Sequence, residues 1–265
     1  IVDKSGKFVK EIIDFAGLQV KAFSEVEGLT TDEQISIKLK KENKAFDVKK
    51  YEHSYPHCWR TDKPILYYPL ESWFINSTKL KDDFINKNKD INWQPESTGT
   101  GRFGNWLENL VDWNLSRSRF WGTPLPIWRT KDGKDEICIG SINELKSEIK
   151  KSVDLGFMKN NISDNIDLHR PFVDEIILAS KEGSPMYRET DIIDVWYDSG
   201  SMPFAQYHYP FENKDIFDKM FPAKFIAEGV DQTRGWFFTL HAISIMLFGK
   251  VSYENVISNG LVLDK

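Results

Sequence analysis

Two stretches of this chain carry side chains that could do chemistry. The first is Glu228-Gly229-Val230-Asp231-Gln232. It sets two carboxylates, a carboxamide and a glycine within five residues. Glu228 can accept hydrogen bonds from an ammonium or a hydroxyl, and Asp231 can offer an oxygen to a ribose hydroxyl. Gln232 carries both donor and acceptor. Gly229 has no side chain, so a ligand can approach its backbone closely. The second stretch is Asp194-Val195-Trp196-Tyr197-Asp198-Ser199-Gly200-Ser201. Strand alternation would put Asp194, Trp196 and Asp198 on one face, with a turn at Ser199-Gly200.

Each stretch also has a plainer interpretation. Asp231 can be a helix N-cap and Glu228 an exposed surface group. The second stretch can be a strand end with a buried tryptophan. On spacing alone the two readings of the first stretch are even, and for the second the plain strand end is favoured.

The elements around the first stretch put it at a strand end. Lys224-Phe225-Ile226-Ala227 is a short apolar strand, and a helix is expected from Asp231, with Trp236, Phe237, Leu240, Ser244 and Leu247 along one face. Gly249 should stop it, and residues 255–263 form the next strand. Strand, helix and strand make a crossover, the unit of a parallel sheet. In such sheets ligands bind off the carboxyl ends of the strands, and a helix N-terminus there favours a phosphate.

The rest of the chain reads as supporting structure. Residues 1–50 form a small connector, in which Thr30-Thr31-Asp32-Glu33 fits a capping box. Ile35 and Leu39 then share a helical face, and Lys38, Lys40, Lys41 and Lys44 form a solvated one or an RNA contact. Residues 51–130 are dense in tryptophan and proline. Trp106 to Trp113 has helical spacing, with Leu107 and Leu110 on a shared side. Such aromatics build core and domain seams; stacked against bases they would need a basic groove, for which Arg102, Arg117 and Arg119 are the candidates. Residues 131–190 read as an insertion with a hairpin turn at Lys131-Asp132-Gly133-Lys134 and a second capping box at Ser141-Ile142-Asn143-Glu144. It opens a helix with Leu145, Ile149 and Val153 at four-residue steps, and residues 160–167 read as a loop. Residues 191–265 hold the crossover.

Composition sets limits. Of 265 residues, 40% are hydrophobic and 28% charged, the balance of a soluble globular chain, and no apolar run is long enough to cross a bilayer. Two cysteines, Cys58 and Cys138, argue against a disulfide scaffold and for a reducing cytoplasm. A net charge of −5 lends no support to nucleic-acid binding. Both ends read as the interior of a longer chain: a strand feeding a turn at the start, and a strand cut before its loop at the finish.

Five segments, in order, resemble class I isoleucyl-tRNA synthetases. They are Ser54-Tyr55-Pro56-His57-Cys58-Trp59-Arg60, Asn105-Trp106-Leu107-Glu108-Asn109, the run from Asp112 through Ser116-Arg117-Ser118-Arg119-Phe120-Trp121-Gly122 to Pro124, Asp194 to Ser201, and Glu228 to Phe237. The resemblance spans residues 51–265, and residues 1–30 resemble the exit from the family's editing domain. It implies the second half of a Rossmann-like parallel-sheet α/β nucleotide-binding domain with connective insertions. The implied reaction uses ATP, with Mg in the intact enzyme, to turn isoleucine into isoleucyl-adenylate, followed by acyl transfer to tRNA(Ile). It assigns adenylate contacts to Glu228 on the aminoacyl part, to Gly229, and to Asp231 and Gln232 on the ribose side. Trp196 would line the amino-acid side. None of these is a general acid or base, since such enzymes work by positioning and charge stabilisation. A non-catalytic module that binds tRNA or another subunit is the alternative.

The departures are as informative. The family's His-Ile-Gly-His and Lys-Met-Ser-Lys-Ser motifs, which hold the phosphates, are absent from these 265 residues, as are the editing motifs. Some relatives carry a Cys-x-x-Cys zinc knuckle where this chain reads Cys58-Trp59-Arg60-Thr61. His53, His57 and Cys58 supply at most three of the four ligands of a structural zinc, so none is expected. The isolated 265-residue chain should therefore catalyse no isoleucine-dependent ATP–pyrophosphate exchange. Exchange above background with the purified chain would refute this.

Overall fold

The structure is a computed structural model and describes residues 1–21, 28–159, 165–262 and 264. The chain forms two compact units, Ile1–Glu71 and Ser72–Lys265.

In the first unit, bridges between Val2 and Phe8 and between Lys7 and Gln19 fold the opening residues back on themselves. Helix α1, Thr31–Lys41, begins with the expected capping box. The Glu33 N–H donates to Thr30 Oγ1, and the Thr30 N–H donates back to the Glu33 carboxylate. Ile35 is half-buried but Leu39 is exposed, so the apolar face is only partly covered. Nor are all its lysines simply solvated. Lys38 pairs with Asp14 at 2.6 Å and with Glu42 at 2.8 Å, and Lys44 reaches Glu42 at 2.7 Å. Held first by Lys38 and then by Lys44, the Glu42 carboxyl is lowered to about 2.

The second unit runs β1 (Phe74–Ile75), α2 (Lys81–Asn88), β2 (Asn92–Gln94), α3 (Gly104–Glu108), β3 (Trp113–Asn114), β4 (Ser116–Arg117), β5 (Ile127–Thr130), β6 (Glu136–Cys138), α4 (Ile142–Asp154), β7 (Ile177–Ala179), β8 (Pro185–Arg188), β9 (Ile192–Ile193), α5 (Val195–Ala205), α6 (Lys214–Met220), β10 (Ile226–Gly229), α7 (Trp236–Phe248) and β11 (Asn255–Asn259). Among the described residues β10, β11 and β2 form a parallel sheet in that order, with Glu228 opposite Ser258 and Val256 opposite Trp93. This is the expected crossover, with α7 between β10 and β11.

Helix α7 is buried all round rather than along one face: every residue from Phe237 to Ile245 is buried. It packs with Phe84, Trp93, Phe103, Leu107, Tyr253 and Val256 into one core. Gly249 ends it in the left-handed conformation, φ +64°, as expected. His241 sits inside this core, its Nε2 donating to the Phe84 carbonyl at 2.9 Å, while Nδ1 has no partner among the described residues. Burial therefore holds His241 neutral, with its pKa lowered to about 4.

A second core belongs to the antiparallel sheet β6-β5-β8-β7, on which α4 packs. The turn 131–134 joins β5 to β6 as expected, and Ser141 caps α4 by accepting from the Glu144 N–H. The reciprocal half of that box is displaced by one residue, because Glu144 accepts from Gly140 instead. Beneath the sheet, Arg188 and Arg170 both grip Asp174, at 2.6 Å each. Burial works to raise the Asp174 carboxyl, and the two guanidiniums outweigh it, leaving the group below its usual range.

Four expectations need correction. Residues 194–201 are not a strand and turn. Asp194 accepts from the Trp196 N–H and starts helix α5, which runs through Ser199-Gly200. The helix from Trp106 stops at Glu108, where Asn109 leaves helical geometry, and Trp113 is drawn into β3 by pairing with Ile75. Strand β10 starts at Ile226 rather than Lys224, because ladder pairing with β11 begins at Val256. A 3-10 turn, Val230–Arg234, separates β10 from α7, so the helix begins at Trp236 and not at Asp231. Of the expected loop 160–167, residues 160–164 lie outside the described residues, as does Leu263 at the end of the expected last strand.

Gly200 lets α5 and α7 touch. A Cβ there would lie 2.9 Å from the Thr239 backbone carbon and 2.9 Å from Ile243 Cδ1. Gly200→Ala should cost about 1–3 kcal/mol through overpacking against backbone, read from denaturant unfolding; an unchanged midpoint would refute the contact. His241 gives a pH-dependent prediction. Unfolded, it titrates near 6.5, so its contribution is complete above that pH. It is lost as pH falls from about 6.5 to about 4, on the order of 3 kcal/mol in all. His241→Phe should flatten the stability–pH curve across that window; an equally steep curve in the variant would assign the acid sensitivity elsewhere.

Candidate functional site

Strand β10 brings Glu228 and Gly229 at its carboxyl end beside Ser258 and Asn259 of β11. Glu228 is exposed, and its carboxylate has no hydrogen-bond or ion-pair partner among the described residues. The buried Ser258 hydroxyl next to it likewise lacks a partner among them. The two are register partners at the carboxyl ends of β10 and β11, Glu228 open to solvent and the Ser258 hydroxyl closed off from it.

The turn that follows is tied by its own side chains. Gln232 Oε1 accepts from the Trp236 N–H at 2.9 Å, satisfying the first free donor of α7. Gln232 Nε2 donates to Asp231 Oδ2 at 3.0 Å. Asp231 is exposed and does not cap the helix; that task falls to Gln232. Gly229 sits under this pair, and a Cβ there would lie 2.5 Å from Asp231 Oδ1. Thr233, fully buried, donates to the Val230 carbonyl at 2.8 Å and accepts from Arg102 Nε at 3.2 Å.

Trp196 arrives from a distant part of the chain. It is the second residue of α5 and 40% exposed. Its ring edge lies against Gly235, where a Cβ would stand 3.1 Å from Trp196 Cη2 and 2.7 Å from Gln232 Oε1. The buried Gly235 therefore lets the indole close over the turn. A second latch holds the two elements together: Trp236 Nε1 donates to the Ser199 carbonyl at 3.2 Å. All five predicted residues, Glu228, Gly229, Asp231, Gln232 and Trp196, stand on this one edge or on elements packed against it. A cavity of about 490 Å³ lined by Met202, Ile226, Trp236, Leu240 and Tyr253 lies toward the amino ends of β10 and β11 and contains none of the five. A second cavity, about 570 Å³, lies over Leu125, Trp128 and Leu145 and contains none of the five.

Of the three arginines named for a basic groove, Arg102 holds Thr233, and Arg117 is bound to Asp194 at 2.8 Å. The Arg119 carbonyl accepts from Arg170. Two of these guanidiniums are therefore engaged by groups of the fold, although Arg102 is exposed and Arg117 partly so.

Sequence reasoning missed four participants. Trp236 and Thr233 lie within the quoted segment but look like helix core. Arg102 reaches Thr233 across 131 residues, and Ser258 is set beside Glu228 only by strand register. No local pattern marks either. The second stretch also held the titratable Asp198. Burial pushes its carboxyl up, against the opposing bond from the Thr123 hydroxyl at 3.0 Å.

Among the described residues no group of three or more His, Cys, Asp or Glu could hold a metal ion, and no helix is long and apolar enough to cross a membrane. The arrangement can present the exposed Glu228 carboxylate to a polar ligand, with the Trp196 ring packed on the turn that follows.

Comparison with known proteins gives the family. The chain is 64% identical to the isoleucine–tRNA ligase of Cytophaga hutchinsonii, over all of this chain and 25% of that protein. It is 64% identical to that of Bacteroides thetaiotaomicron, over 88% of this chain and 22% of the relative. The Clostridium acetobutylicum enzyme is 49% identical over 100% of this chain and 24% of its own length. The chain thus spans about a quarter of the length of the curated relatives it matches. The family model for tRNA synthetases class I (I, L, M and V) matches residues 9–265, and the chain belongs to that family.

Proposed function

We propose that this chain forms one wall of the amino-acid activation site of an isoleucine–tRNA ligase. In the whole protein a carboxylate oxygen of isoleucine attacks the α-phosphorus of ATP and pyrophosphate leaves. A terminal ribose hydroxyl of tRNA(Ile) then attacks the acyl carbon, and AMP leaves. Glu228 receives the ammonium group of the aminoacyl part. Asp231 and Gln232 face the ribose, and Gly229 admits the ligand to the backbone. Trp196 walls the amino-acid side chain. Mg²⁺ accompanies ATP and screens its phosphates. A cytoplasmic location goes with this reading, supported by two free thiols, Cys58 and Cys138.

The observation that carries the reading is the Glu228 carboxylate. It is unpartnered among the described residues, at the carboxyl end of a parallel strand. An aromatic wall from a segment more than thirty residues earlier closes on the same turn. The names of the relatives support isoleucine as the amino acid. The ligase work is positional: none of these side chains must gain or lose a proton for adenylate to form.

In the full-length protein, Glu228→Ala should lower isoleucine-dependent ATP–pyrophosphate exchange about 30- to 100-fold, the loss of one charge-assisted contact. Its melting temperature should stay unchanged, since Glu228 supports nothing else in the fold. Exchange at the parent rate would remove Glu228 from the site.

A further inference from the structure

Asp194 does more than a helix cap requires. A cap needs one side-chain acceptor for an N–H of the first turn, and Asp194 Oδ1 provides it to Trp196 at 3.3 Å. The other oxygen, Oδ2, accepts from Trp113 Nε1 at 3.1 Å and from Arg117 Nη2 at 2.8 Å. The Asp194 N–H donates to the Leu115 carbonyl at 2.7 Å. The residue is 4% exposed, so a charged group has been taken out of water to make these bonds. Arg117 is itself fixed, its Nη1 donating to the Asn114 and Ser116 carbonyls at 2.9 Å each. Four ties from the stretch 113–117 and from α5 therefore meet on one residue.

What these ties fix is the first turn of α5, and Trp196 is in that turn. Downstream, α5 is pinned to α7 by Gly200 and by the Ser199 carbonyl. Trp196 is thus clamped at both ends: by Asp194 before it, and by the α5–α7 seam after it. Its ring has one edge on Gly235 and 40% of the residue open. A serine or asparagine cap would start the helix equally well, but neither has the charge to hold Arg117.

We infer that Asp194 is a positioning residue for the amino-acid pocket: with Trp113 and Arg117 it sets where the Trp196 indole stands, and so how tightly the site fits the isoleucine side chain. This rests on the activation reading above. It separates Asp194 from Glu228, which meets the ligand directly, and from the ribose-side residues, which Asp194 does not touch.

The test uses the full-length protein with Asp194→Asn, which keeps the shape and one capping oxygen but turns an amide toward two donors. The KM for isoleucine should rise about tenfold, while the KM for ATP stays within about twofold and kcat within about threefold. Preference for isoleucine over valine should fall. Trp113→Phe, which removes one donor and leaves the ion pair, should show the same split at smaller size and guards against a misfolded first variant. Hydrogen exchange followed by mass spectrometry gives a readout free of substrate: amides of Val195–Ala205 should lose protection while those of Trp236–Phe248 keep theirs. Lost protection with an unchanged KM for isoleucine would reduce Asp194 to a plain cap and overturn the inference. So would a parallel rise in both KM values, or unaltered protection. If the parent protein fails to activate isoleucine, the activation reading falls by itself, and the exchange measurement decides whether Asp194 positions α5.

Discussion

Helix α7 has no solvent side between Phe237 and Ile245, and most of the second unit follows from that. A helix buried all round must be covered by other elements on every flank. Strands β10, β11 and β2 cover one flank, α5 another, and α2 with α3 a third. Each fully buried Phe, Leu or Ile here is worth about 1.5–3 kcal/mol relative to exposure. Every cover must be close-packed to realise that, which explains a glycine at the α5 crossing. Polar groups inside are held by backbone carbonyls: the Tyr253 hydroxyl donates to the Phe237 carbonyl at 3.1 Å, and Ser244 Oγ to the Lys250 carbonyl at 2.8 Å, while His241 Nδ1 stays without a partner among the described residues.

The site hangs from the amino end of this helix. Because α7 starts at Trp236, the chain leaving β10 must spend Val230–Arg234 in a tight turn before entering the core. That turn cannot be held by the regular ladder of either neighbour, so side chains hold it. Gln232 caps the helix, Asp231 holds Gln232, and Thr233 is buried beneath, fastened to Arg102. A turn so tied is a rigid platform on which an adjacent carboxylate can be aimed.

Some of this was legible in the sequence and some was not. The parallel crossover was, since Gly249 stops a long apolar run and a second strand pattern follows. So were both capping serine and threonine residues, because a cap is local chemistry. Residues 194–201 misled because Asp, Ser and Gly have low helix propensity and the alternation of Asp194, Trp196 and Asp198 fits a strand. The contest was settled by tertiary contacts: Trp113 and Arg117 holding Asp194, and Gly200 against Thr239. The convergence of Trp196 on Gly235 and of Arg102 on Thr233 was invisible for the same reason. Neither pair is encoded in spacing; each exists only once β10, α5 and α7 are in place.

The division of labour among the acidic groups follows from their surroundings. Asp194 is buried and saturated with donors, so its charge is spent on the fold. Asp231 is exposed but engaged by Gln232. Asp198 is half-buried with one hydroxyl donor, and desolvation pushes its carboxyl up. Glu228 differs from all three, being exposed, at a strand end, with no partner among the described residues. A carboxylate in that state keeps its full capacity to accept hydrogen bonds and loses little solvation until something charged approaches it. When an ammonium does, both groups give up water together. The attraction then strengthens only with the ligand in place. In the proposed reading, fit to the Trp196 wall supplies discrimination and the Glu228 charge supplies the hold.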